Sequence, residues 1–180
     1  MTLGYLLGIR IQINPFFLAI LVLYGVLGAL QPVVIFFFLI VTHELAHLVL
    51  AAALGLRVEA LELLPFGSRA QIPDLDRAGG ATETAVALAG PLHNLLLLAL
   101  GLGYQQVLPG TAGPALTVFI AGNLLLALFN LLPVLPLDGG RILRAQLAPR
   151  LGFRRATELL AAAGRLAALV LLAVVCASLV

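Results

Sequence analysis

Five apolar runs organise this chain: Pro15 to Leu30, Val33 to Leu54, Thr84 to Gly103, Ala115 to Leu132 and Leu159 to Val180. A hydrocarbon core of about 30 Å is crossed by roughly 20 helical residues, so each run is long enough, or nearly so, to span it. The first is short and draws on the preceding LLGIRIQI to make up its length. Hydrophobic residues are 62% of the 180 and charged residues 10%, which leaves too little polar surface to wrap a soluble core. The reading is an all-α polytopic membrane protein of about five to six transmembrane helices, built as a single domain over residues 1–180.

All ten basic residues are arginines, and they fall in alternate connections. Arg10 precedes the first run. Arg57, Arg69 and Arg77 lie between the second and third, and Arg141, Arg144, Arg150, Arg154 and Arg155 lie between the fourth and fifth, with Arg165 just inside the fifth. The positive-inside rule then puts the N-terminus and both long loops in the cytoplasm and the C-terminus outside, as expected of a multi-pass protein of the cell membrane. The first run lacks a defensible cleavage site and is expected to be retained. Scattered arginines without interleaved aromatics give no support to nucleic-acid binding. Cys176, the single cysteine, excludes a disulfide within the chain.

One loop differs in kind. GLRVEALELLPFG alternates partly with period two, which suits a strand at a membrane surface, with a plain connector as the competing reading. It adds a small membrane-associated β segment to the helical fold class.

The second run holds FFFLIVTHELAHLVLAAALG, with two histidines and a glutamate in the middle of hydrocarbon. His43 and His47 are one helical turn apart and share a face, so both imidazoles can reach one metal, with Glu44 on the adjacent edge. Zinc held this way polarises water, and a carboxylate beside it takes the proton. An exposed polar face is the bland alternative for H-E-x-x-H. Ionisable groups inside a span cost about 2.5–3.5 kcal/mol each on insertion scales, which weighs against it.

Two histidines leave zinc one protein ligand short. Of the other seven carboxylates, Glu59, Glu62, Asp74, Asp76, Glu83 and Glu158 mostly lie near arginines and read as solvated charges. Asp138 sits instead in FNLLPVLPLDGGRIL, where Pro133 and Pro136 forbid a regular helix and Gly139 with Gly140 lets the backbone turn. Irregular backbone at membrane depth is tolerated where it lines a cavity. Taken by itself, without the histidines, Asp138 reads rather as the N-cap of a short helix starting near Arg141.

Taken together, HELAH, the later NLLPVLPLDGG and the AGPLHN between them resemble the site-2 protease family of intramembrane zinc metalloproteases. GIRIQINP from Gly8 to Pro15 is similar to the opening of its compact bacterial branch, and the likeness runs from Gly8 to Arg144. The resemblance implies zinc bound by His43, His47 and Asp138, with Glu44 as the base. It also implies that Asn130 holds the substrate chain or the developing oxyanion, and that the substrates are transmembrane or membrane-associated proteins cut within the lipid bilayer. A helix-to-helix hydrogen bond is the alternative for Asn130 and the first reading of Asn94 and Asn123. His93 stands where the family carries a small or apolar residue, and it reads as a polar group packed between helices. The PDZ insertion and CBS domain common in the family are absent from these 180 residues. Rival readings are a metal transporter or sensor using the same His, His and Asp, an iron oxygenase, which leaves Glu44 without a role, and an idle scaffold, which needs no complete set of ligands and base.

Overall fold

In the computed structural model, which describes residues 2–6, 9–64, 67–111 and 113–178, six α-helices accompany a small four-stranded sheet that packs against the first two of them. The order is β1 (Thr2–Leu6), β2 (Ile9–Ile13), α1 (Pro15–Val26), α2 (Leu30–Ala53), β3 (Ala60–Leu64), β4 (Gly67–Gln71), a 3-10 turn (Leu75–Arg77), α3 (Gly80–Val107), a 3-10 turn (Pro109–Thr111), α4 (Pro114–Asn130), α5 (Asp138–Leu151) and α6 (Phe153–Ser178). Three helices, α2, α3 and α6, are long and apolar enough to cross a membrane, and α1 and α4 are shorter apolar helices. The chain is thus an all-helical membrane protein with a minor β element.

One expectation changes at the N-terminal side. LLGIRIQI does not extend the first helix: Ile9–Ile13 forms β2, and the helix begins at Pro15, where the Asn14 side chain accepts from the Phe16 amide at 3.0 Å. Alternation in IRIQI outcompetes the helical continuation because a strand partner exists. β2 pairs in parallel with β3, with Ile11 opposite Leu61, and β1 and β4 flank them in antiparallel register. The strand read in GLRVEALELLPFG forms over Ala60–Leu64, between β2 and β4. The sheet order is β1-β2-β3-β4. Gly8 and Pro65, which belong to the predicted segments, and the last two residues of the fifth run lie outside the described residues.

The interior is formed where α2, α3 and α4 meet, and small residues let the helices close. An added Cβ at Gly122 of α4 would stand 2.7 Å from Leu39 of α2, and one at Gly101 of α3 would stand 3.0 Å from Ile120 of α4. Leu39, Leu48, Val86, Ala87 and Ala127 have no solvent exposure. Residues 131–137 leave helical geometry, as Pro133 and Pro136 require, and return the chain to α5. Fully packed glycines permit that return. A Cβ at Gly139 would strike the Leu131 and Leu132 carbonyls, and one at Gly140 would strike Val134.

A buried charge cluster locks α5 to α3. Arg144 pairs with Glu83 at the start of α3, bonds Asp76 at 2.6 Å and lies over the Phe153 ring at 4.5 Å. Glu83 is 3% exposed, so its reading as a solvated surface charge is corrected. Desolvation is offset because the guanidinium reaches it with two nitrogens.

Candidate metal centre

His43 begins roughly 20 Å along α2, whose 24 residues measure about 36 Å at 1.5 Å per residue. Its Nε2 lies 3.1 Å from Asp138 Oδ2 and 3.2 Å from His47 Nε2, and His47 Nε2 lies 3.3 Å from the same carboxylate oxygen. All three side chains are buried. Asp138 starts α5, whose N-cap is Leu137, and it makes no capping bond, so its carboxylate turns to the histidines rather than to its own helix. The N-cap alternative is thereby excluded.

The far side of each ring fixes its tautomer. His47 Nδ1 lies 2.7 Å from the Val86 carbonyl, which can only accept, so Nδ1 carries the hydrogen. His43 Nδ1 meets Asn94 Oδ1, and the Asn94 amide donates in turn to Asn123 Oδ1 at 2.9 Å, while Asn123 donates to the Phe119 carbonyl at 2.9 Å. Both Nε2 atoms consequently face inwards as lone pairs beside a carboxylate oxygen. Three acceptors this close repel one another unless a cation lies among them.

Their spacing suits zinc. Bonds of 2.0–2.1 Å at tetrahedral angles separate ligand atoms by about 3.3 Å, close to the spacings observed here. Gly90 of α3 supplies the room, because an added Cβ there would stand 2.6 Å from His43 Nε2 and closer still to His47 Nε2. Among the described residues this is the one cluster of His, Cys, Asp and Glu side chains able to share a metal.

A cavity of about 700 Å³ opens onto the cluster, lined by His43, Glu44, Asn130, Asp138 and Arg141, with Leu64 and Ala70 of the sheet on one wall. Asn130 is brought there, but its amide nitrogen donates to the Leu126 carbonyl of its own helix at 3.0 Å, which leaves one amide hydrogen for any ligand. Asn94 and Asn123 do form the helix-to-helix bond read from the sequence. The bond from Asn94 to His43 and the cradle at Gly90 were not foreseen; AGPLHN held both residues. The His93 Nε2 atom is buried, with no hydrogen-bond partner among the described residues.

Comparison with known proteins follows the same lines. Residues 31–112 and 105–173 match the sequence profile of peptidase family M50. The chain is 32% identical to a zinc metalloprotease of Methanocaldococcus jannaschii over 93% of its length and 46% of the relative's. It is 30% identical to stage IV sporulation protein FB of Bacillus subtilis over 84% of its length and 52% of that protein's. It thus spans about half the length of these curated relatives. The solved structure of a site-2 protease from Methanocaldococcus jannaschii superposes with a TM-score of 0.80 at 28% identity, covering 99% of this chain and 86% of that one.

Proposed function

This chain belongs to peptidase family M50, and from that premise we propose that it is an intramembrane zinc metalloendopeptidase, cutting peptide bonds within or next to transmembrane segments of other membrane proteins in regulated intramembrane proteolysis. The single observation that carries the reading is the presence of Glu44 in the same cavity as the His43, His47 and Asp138 cluster, with room beside it for a peptide.

In this reading His43, His47 and Asp138 hold the zinc. When bound, zinc supplies Lewis-acid polarisation of water and carbonyl at neutral pH. Glu44 accepts a proton from the attacking water and delivers it to the leaving nitrogen as the C–N bond breaks, giving a carboxylic acid and an amine. Asn94 and the Val86 carbonyl keep both imidazoles aimed inwards. The substrate must unwind, because a helix hides its peptide bonds. β4 supports this step: among the described residues it pairs only with β3, which leaves its outer edge for an extended strand, and its Ala70 lines the cavity. An apolar cavity of about 790 Å³ between α1 and α2 shares Phe36 and Ile40 with the site and suits the adjoining apolar part of the substrate. The arginine distribution supports a reading, by the positive-inside rule, in which the N-terminus and the site face the cytoplasm across the cell membrane.

The test is purification of wild type and Glu44→Gln in detergent, with metal analysis and cleavage of a panel of single-pass membrane helices. Zinc near one per chain in both, with cleavage by wild type alone, is expected. Cleavage that survives the substitution, or protein without zinc, sinks the reading.

A further inference from the structure

α5 carries two arginines three residues apart, and their circumstances differ. Arg144 is spent on structure: its guanidinium is bonded to Glu83 and Asp76, stacked on Phe153 and 10% exposed. Arg141 makes no side-chain hydrogen bond among the described residues. Its nearest acid is Asp138, at 4.0 Å from Nη1 to Oδ1, beyond hydrogen-bonding range and on the oxygen that does not face the histidines. At 27% exposure it lines the cavity together with Glu44 and Asn130.

Its position is also locally unfavourable. Arg141 lies in the opening turn of α5, where the helix dipole is positive and a cation is disfavoured. Helix formation therefore gives no account of it. A guanidinium has five donors in a planar fork, suited to an oxygen that gains negative charge. Among the described residues lining this cavity, the other side-chain donor left for a substrate oxygen is the remaining amide hydrogen of Asn130.

We propose that Arg141 is a catalytic residue that donates a hydrogen bond to the carbonyl oxygen of the substrate peptide bond as water adds to its carbon. The inference rests on the hydrolase reading above. Charge on that oxygen rises from ground state to transition state, so the contact strengthens during the reaction and acts on kcat rather than on KM.

The experiment takes a membrane helix that wild type cleaves and compares wild type with Arg141→Lys and Arg141→Ala, following kcat, KM, zinc per chain and the thermal melt. The Ala variant is also assayed with millimolar guanidinium. Expected are a kcat lower by about 10²–10³-fold in Arg141→Ala with KM, zinc and melt near wild type, a smaller loss in Arg141→Lys, and partial recovery with guanidinium. An unchanged kcat, a rise in KM alone, or loss of zinc overturns the proposal; the last would make Arg141 a positioning residue for Asp138. Failure of wild type to cleave removes the hydrolase reading and this inference with it, whereas normal wild-type cleavage with a silent Arg141→Ala removes this inference alone.

Discussion

Gly90 on α3 faces the Nε2 atom of His43 on α2 so closely that a single methyl group would fill the space beside the two imidazole nitrogens. Here the side chain that matters is an absent one. Gly90→Ala is expected to abolish zinc binding while costing little in helix content, since alanine is the better helix former. Metal analysis with circular dichroism of the same sample checks it, and a full complement of zinc in the variant would show that the cluster is not the metal site.

Asn94→Leu removes the acceptor that holds His43 Nδ1. Loss of such an outer partner weakens metal affinity by about 10–100-fold. Competition with a chelator of known affinity gives the number, and Asn94→Asp, which keeps an acceptor, is expected to retain zinc better than Asn94→Leu.

Much of this arrangement was legible in the chain because it depends on local pattern. The apolar runs gave the long helices, His43 and His47 share a face through the helical repeat alone, and the prolines around Val134 announced irregular backbone before Asp138. What escaped reading depends on partners distant in sequence. IRIQI became a strand because β3, some 50 residues later, lies beside it in parallel. Glu83 looked solvated because Arg144, which neutralises it, is 61 residues away. Asn94 meets His43 across 51 residues, and no periodicity encodes such a distance. The fifth run also starts earlier than hydropathy suggests, at Phe153, since Arg154 and Glu158 pair at 2.8 Å one turn apart on the exposed side of α6.

The charge cluster makes a stability prediction. Arg144→Met leaves Glu83 buried without its counter-charge and is expected to destabilise by about 3–5 kcal/mol, seen as a lower melting temperature in detergent. Asp76 has a side chain 56% exposed, so Asp76→Asn is expected to cost about 0–1 kcal/mol. Combining Arg144→Met with Glu83→Leu should recover much of the loss. A double variant as unstable as the single one would argue against an uncompensated charge as the cause.

Gly140→Ala tests the turn before the carboxylate. Its added carbon would lie 2.6 Å from the Leu135 amide and closer to the Val134 backbone, with no flexible atom to yield. Lower zinc content and a lower melting temperature together are expected, because α5 must shift and take Asp138 with it. Retention of both would mean that residues 131–137 move without disturbing the ligand.

The parallel pairing of β2 with β3 ties together the two ends of the α1–α2 hairpin, since β2 leads into α1 and β3 follows α2. Both ends of this pair of helices are therefore moored at a single level, and the sheet acts as a depth gauge for what α2 carries. How far His43 and His47 lie from that level is set by counting residues back from Ala60, at about 1.5 Å each within the helix. One residue inserted between His47 and Ala53 would both deepen the histidines and turn them by about 100° away from Asp138. The length of α2 beyond its histidines is thus as strict a requirement as their identity.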